Sequence, residues 1–151
     1  MRFGKLTFVQ NLKSLTADLG GSAVSIGSFD GVHLGHQAVL TELIQQAKSN
    51  GLFSVAMTFE PQPREYFNEL RAPARLMRLR EKVEVLSSLG IDQIVCLKFN
   101  KALRALSAQD FIIRVLVEGL RVRHLIVGDD FRFGCDRSGD FSMLNEFGKA
   151  N

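Results

Sequence analysis

Short apolar runs alternate along this chain with longer segments whose apolar residues recur at helical spacing. The runs predict strands at 23–26, 53–59, 93–99 and 124–127, with a weaker edge strand at 6–9. The helical segments are 34–50, 78–89, 107–119 and 143–147. Strands and helices that alternate in this way are typical of an α/β domain with a mainly parallel sheet.

Residues that favour helix ends mark the limits of these helices. Asn50-Gly51 and Gly90 close the first and second helices, and Ser107 is the predicted N-cap of the third. The start of the second helix, from Arg78 to Lys82, is predicted to be mostly a solvated face. Prolines at 61 and 63 end the second main strand, and a short helical turn is expected at 64–70.

Three polar or glycine-rich segments follow predicted strands, after Ile26, after Thr58 and after Val127. In parallel sheets, ligands bind beyond the carboxyl ends of the strands. The sequence therefore predicts that these three segments converge on one site.

The stretch from Gly27 to His36 has the composition of a phosphate-binding turn. Its glycines let backbone and ligand approach closely, and the amides that open the next helix attract anions. His33 and His36 are three residues apart, so both lie on one face of the first helical turn and can reach the same phosphate. Spacing alone also allows two surface histidines or half of a metal site. The sequence here lacks the residues that define a dinucleotide-binding fingerprint and those that define a Walker A loop.

Gly27-Ser28-Phe29-Asp30-Gly31-Val32-His33-Leu34-Gly35-His36 resembles the first signature of the HxGH nucleotidylyltransferase superfamily. The segments 58–65, 73–76, 79–82 and 127–134 resemble one branch of it. That branch is the FMN adenylyltransferase (FAD synthetase) module of the prokaryotic bifunctional riboflavin kinase/FAD synthetases. The resemblance runs from about Ser22 to Leu144, which is nearly the whole chain.

The resemblance implies a Rossmann-like nucleotidylyltransferase fold and Mg²⁺-dependent transfer of AMP from ATP to FMN, giving FAD and pyrophosphate. It makes His33 and His36 the catalytic pair. The nucleotide side would be formed by Gly27, Ser28, Phe29, Asp30 and Gly35, with the backbone of 27–29 receiving the nucleotide. The flavin side would be formed by Phe59, Pro61, Pro63, Asp130, Phe131, Phe133 and Arg137.

Asp130 departs from the family pattern, in which Asn is common at this position. Either residue accepts a hydrogen bond from the flavin or ribose, but only Asp adds negative charge. A contact between Asp130 and Mg²⁺ would relieve repulsion from a bound phosphate. The resemblance does not identify the metal ligands.

Composition and charge restrict the classes of partner. With 151 residues and 46% hydrophobic content, the chain is expected to form one globular domain. The net charge of +3, without a Lys/Arg run, suits small anions and argues against nucleic acid. No apolar run approaches a membrane span. Cys96 and Cys135 are expected to be reduced thiols in the cytoplasm. The sequence leaves the oligomeric state open.

A second superfamily signature, resembling Ile-Ser-Ser-Thr-x-x-Arg, is expected beyond Leu144 but does not occur before Asn151. We therefore expect residues 1–151 to be an adenylyltransferase domain without its last signature and without the riboflavin kinase module. One alternative is a nucleotide-binding fragment without turnover. Another is a nucleotidylyltransferase for a different acceptor, such as phosphopantetheine or nicotinate mononucleotide, although segments 58–65 and 127–134 argue against it.

Overall fold

A computed structural model describes residues 5–9, 20–29, 31, 34–61, 78–128 and 131–150. Its centre is a parallel sheet of five strands in the spatial order β1-β4-β3-β2-β5. The strands are β1 (Lys5–Val9), β2 (Ser22–Ile26), β3 (Phe53–Glu60), β4 (Gln93–Lys98) and β5 (Val122–Ile126). All five predicted strands are confirmed, including the edge strand near the N-terminus.

The helices connect these strands in the predicted order. They are α1 (Leu34–Ser49), α2 (Leu79–Ser88), α3 (Lys101–Arg104), α4 (Ala108–Asp110, continuing as the π-helical Phe111–Gly119) and α5 (Phe141–Ala150). The Ser107 cap is confirmed, because its hydroxyl accepts a hydrogen bond from the Asp110 amide at 3.0 Å. The helical turn predicted at 64–70 lies outside the described residues.

Two findings about the helices differ from the sequence prediction. Most of α4 is π-helical, and the Leu120 amide donates to the carbonyl of Val115, five residues earlier. Buried pairs at 111–112, 115–116 and 119–120 recur every four residues, more widely than the 3.6-residue α-helical turn, so a wider turn keeps them on one face. The last helix, α5, is longer than the predicted 143–147.

The two faces of the sheet bury two separate clusters. The α4-side cluster joins Val24, Val55, Met57 and Val95 to the buried face of α4, and α5 packs against it. The α1-side cluster joins Ala23, Ala56 and Ile94 to Phe29 and to α1 and α2. Each fully buried aliphatic side chain contributes about 1.5–3 kcal/mol, so both faces stabilise the sheet strongly.

Lys82 is buried, which corrects the prediction of a mostly solvated face at 78–82. Only 3% of Lys82 is exposed, and with Leu86 it forms the buried side of α2. Arg78, Arg80 and Glu81 are exposed, as predicted. The charges at 78–82 predicted an exposed face, but the long aliphatic stem of a lysine allows it to pack in an apolar interface.

Polar contacts fasten the strand starts at the edge opposite the predicted site. The Asp92 carboxylate accepts hydrogen bonds from the Ser54 amide at 2.9 Å and from the Ser54 hydroxyl at 3.2 Å. The Asp92 amide donates to the same hydroxyl oxygen at 2.9 Å. At the β2–β5 pair, the Ser22 hydroxyl donates to the Leu120 carbonyl at 2.6 Å. These contacts set the register from which the strands run toward the site.

Candidate functional site

The strand order creates a crevice between the carboxyl ends of β2 and β5. From β2 the chain crosses through α1 to β3 on one side, whereas α4 leads to β5 on the other side. The two connecting helices cover opposite faces of the sheet. Crevices at such a reversal of strand order are where open α/β sheets bind ligands. The segments after β2, β3 and β5 therefore leave the sheet at one edge, on three adjacent strands, as the sequence predicts.

The loop after β2 folds back onto the sheet before α1 begins. The Gly27 amide donates to the Met57 carbonyl at 3.1 Å, which extends the β2–β3 pairing by one residue. Ser28 is exposed, whereas Phe29 is only 2% exposed. Phe29 adopts a left-handed backbone conformation with φ of 51°, and Gly31 has φ of 77°. The turn therefore leaves Ser28 exposed while Phe29 is buried in the core.

His36 lies in the first turn of α1, with its side chain partly buried. Its Nδ1 atom is buried, and its ring meets the Phe29 ring edge-on, with centroids 5.5 Å apart and planes at 69°. Leu34 and Gly35, which precede it, are exposed. The start of α1 therefore combines two exposed residues with an imidazole that packs against a buried ring, and a helix start of this kind suits a phosphate ligand. Asp30 and His33 lie outside the described residues.

The loop after β5 is pinned to the start of α4. Phe133 and Gly139 pair through two backbone hydrogen bonds, and the Cys135 amide donates to the Leu106 carbonyl at 2.6 Å. Gly134 has φ of 79°, and a Cβ there would lie 2.6 Å from the backbone of Ala108. This loop is therefore held by its Phe133–Gly139 pairing and by its contacts with the start of α4, which the sequence analysis did not predict. The glycines at 134 and 139 were its only signal.

The aromatic residues of this loop form a stack that enters the core. Phe131 and Phe133 stack at 5.6 Å, and Phe133 also contacts Phe111 at 5.3 Å. Phe133 is 6% exposed and belongs to the α4-side cluster, whereas Phe131 is partly exposed. Phe131 is therefore the ring of this pair that is more open to a ligand.

The remaining predicted flavin-side residues fall in different places. Phe59 is buried in the α4-side cluster and meets the Phe99 ring at 6.0 Å. Pro61 follows β3 through a cis peptide bond and is partly exposed. Arg137 is exposed on the loop after β5. Pro63 and Asp130 lie outside the described residues. Within the described part of the chain, no group of three or more His, Cys, Asp or Glu side chains is placed to hold a metal ion.

Comparisons with known proteins place the chain in a family. The family model described as FAD synthetase matches residues 15–151. The chain is 48% identical over 143 residues to a bifunctional riboflavin kinase/FMN adenylyltransferase of Pseudomonas fluorescens, covering 95% of this chain and 46% of that protein. It is 49% identical over 128 residues to the protein of the same name from Escherichia coli K12, covering 85% and 41%. The chain thus spans less than half the length of these relatives.

A solved structure supports the fold independently. The crystal structure of a protein described as a macrolide-efflux protein from Streptococcus pneumoniae matches with a TM-score of 0.75, covering 94% of this chain and 46% of that one. At 23% identity, this likeness bears on the fold alone. The predicted Rossmann-like α/β fold is confirmed. From the family match and the close relatives, the chain belongs to the FAD synthetase family.

Proposed function

We propose that this chain transfers AMP from ATP to FMN, giving FAD and pyrophosphate. The observation that carries the proposal is that the loops after β2 and β5 leave neighbouring parallel strands at one edge of the sheet, with His36 in the first turn of α1. The names of the relatives include FMN adenylyltransferase, which supports this choice of substrates. The composition supports small anionic partners rather than nucleic acid.

The reaction requires no side-chain nucleophile. A phosphate oxygen of FMN attacks the α-phosphorus of ATP, forming the new P–O bond. The bond from that phosphorus to the oxygen bridging to the β-phosphorus breaks, and pyrophosphate leaves with its electron pair. Most of the catalysis therefore comes from holding two polyanions in line and stabilising their charge.

His36 and His33 would donate hydrogen bonds to the triphosphate. His36 is the third residue of a 16-residue helix, whose first amides and dipole favour negative charge at the same point. Ser28 and Gly35 are exposed, which leaves room for the nucleotide. Asp30 is assigned to this side by the resemblance.

The flavin would lie toward β3 and β5. Pro61 ends β3 at the site edge, and Phe131 offers a partly exposed ring beside the loop after β5. Arg137 is exposed and available to a phosphate. Phe59 and Phe133 would support this surface from the core, with Pro63 and Asp130 assigned by the resemblance.

Mg²⁺ would enter with ATP as the MgATP complex, neutralising phosphate charge. The residues that the structure describes do not by themselves form a cradle for this ion. The residue roles above are therefore assigned without any step through the metal.

We further propose a cytoplasmic location, where ATP and FMN are available. Among the helices that the structure describes, none combines the length and the apolar character that crossing a membrane requires.

The test is FAD formation by the purified chain from FMN, ATP and Mg²⁺, with His36→Ala compared with Thr41→Ala. Thr41 is an exposed residue of the same helix whose hydroxyl donates back to the Gln37 carbonyl, at 2.7 Å. We expect His36→Ala to lose roughly 10²–10³-fold in rate, the cost of removing one donor to a developing charge. Thr41→Ala should keep the wild-type rate.

Three other results would redirect the proposal. ATP binding that His36→Ala weakens, without any FAD, would support a nucleotide-binding fragment. Adenylylation of nicotinate mononucleotide or phosphopantetheine, but not FMN, would change the acceptor. Equal rates in His36→Ala and wild type would refute the site.

A further inference from the structure

We propose that Phe29 is a positioning residue whose buried ring sets the orientation of the His36 imidazole. The inference rests on the proposed function, because it concerns a residue of that site. It gives Phe29 a side-chain role that is separate from any contact between the nucleotide and the loop backbone.

The backbone conformation of Phe29 shows that its side chain is needed. Phe29 has φ of 51°, a region that L-residues rarely adopt and that glycine adopts freely. The same loop uses glycine at 27, 31 and 35. A phenylalanine in this conformation implies that its ring supplies a contact that a glycine cannot.

That contact links the end of β2 to the start of α1. On one side the ring lies over Gly27, where a Cβ would be 3.4 Å from the Phe29 Cζ atom. On the other side it meets the His36 ring edge-on, with centroids 5.5 Å apart. Edge-to-face contacts of this kind favour one relative orientation of the two rings.

Burial makes the ring a rigid support. Phe29 is 2% exposed and belongs to the α1-side cluster with Leu40 and Leu43, which lie further along the helix that carries His36. Interiors of this kind are close-packed, so the ring has little room to move. The His36 side chain, placed against it, loses part of its rotational freedom before any ligand binds. A donor held in this way does not have to be ordered when ATP arrives.

The experiment follows the His36 ring directly by NMR in the histidine-labelled chain, where His36→Ala assigns the signal among the three histidines. Phe29→Leu keeps an apolar side chain but removes the ring. Phe29→Gly suits the backbone conformation and also removes the ring. Phe53→Leu removes a ring at the opposite end of the sheet, and Val115→Ala loosens the packing on the other face of the sheet, outside the cluster that holds Phe29.

We expect both Phe29 variants to shift the His36 ring signal and to lower kcat for FAD formation about tenfold or more, with little change in KM. Where the wild type binds ATP without turnover, ATP affinity replaces kcat as the second measurement. Phe53→Leu should change neither quantity. Val115→Ala should lower stability while leaving the His36 signal near its wild-type position.

Two results would overturn the inference and leave the proposed function standing. One is an unchanged His36 signal in Phe29→Leu. The other is full activity in Phe29→Gly, which would mean that only the backbone conformation at residue 29 matters. If His36→Ala behaves like the wild type in turnover and ATP binding, His36 has no role in the proposed function. The role proposed for Phe29 is then refuted as well.

Discussion

Gly134 is a position at which a single added methyl group should disturb the loop after β5 strongly. It combines a left-handed backbone, with φ of 79°, and a close approach to another segment. A Cβ there would lie 2.6 Å from the Cα and amide nitrogen of Ala108, at the start of α4. Backbone atoms cannot rotate away as a side chain can, so Gly134→Ala must move either the loop or the helix.

Three other glycines allow the cost of a left-handed backbone to be measured separately from the cost of steric overlap. Gly51 has φ of 65° with nothing within 4 Å, and Gly148 has open space and no unusual φ. Gly139 has no unusual φ, but its Cβ would overlap the Phe133 ring. Gly51→Ala therefore introduces backbone strain alone, and Gly139→Ala introduces steric overlap alone. Gly134→Ala combines the two, and Gly148→Ala introduces neither.

The expected magnitudes follow from these separate costs. A left-handed Cβ costs about 1–2 kcal/mol, and overpacking a core typically costs about 1–3 kcal/mol. We therefore expect a loss of about 1 kcal/mol in Gly51→Ala and about 2 kcal/mol in Gly139→Ala. Gly134→Ala should lose about 4 kcal/mol, the sum of both costs with a rigid neighbour. Gly148→Ala should gain up to about 1 kcal/mol, because alanine favours a helix.

The assay is urea unfolding of the four variants and the wild type, with midpoint and slope fitted separately. A domain of this size retains about 5–15 kcal/mol, so even Gly134→Ala should remain measurable. A loss in Gly134→Ala no greater than that in Gly51→Ala would refute the reasoning. It would mean that the loop moves away from Ala108 at little cost and is not pinned as described.

Three further predictions concern polar contacts of the helices and strand starts. Asp92→Ala should cost about 2 kcal/mol in urea unfolding, since it removes a charged acceptor of two Ser54 hydrogen bonds, and Asp92→Asn should cost less. Ser107→Ala should cost about 1 kcal/mol, the usual value of an N-cap, and a change under 0.3 kcal/mol would contradict the capping role. Arg80→Ala should change thermal stability by less than about 0.5 kcal/mol, because its partner Glu84 lies 3.5 Å away on an exposed helix face.

Periodicity predicted much of the fold because this sheet is buried on both faces. Continuous apolar runs such as 94–97 are typical of parallel strands covered by helices on each side. The helix ends were readable from single residues, since Ser107 caps α4 as expected. The strand order explains why the three predicted segments meet at one edge, because β3, β2 and β5 are neighbours.

The features that the sequence did not reveal depend on packing between distant segments. The burial of Lys82 on α2 and the π-helical turn of α4 are two such features. The contact between Phe29 and His36 requires the loop to turn back on itself. In the linear pattern, Phe29 was indistinguishable from an aromatic residue that faces a ligand.

The position of β5 beside β2 has a consequence for the order of folding. The segment from β2 to β4 pairs through consecutive neighbours, so about 75 residues of sheet can form from near contacts. Strand β5 joins β2 only after a gap of about a hundred residues, and β1 joins β4 across a similar distance. During synthesis on a ribosome, strands β2, β3 and β4 would therefore pair early. The crevice would form only after β5 has emerged. Ligands that bind across the crevice should protect the late-forming β2–β5 pair in hydrogen exchange more than the β3–β4 pair.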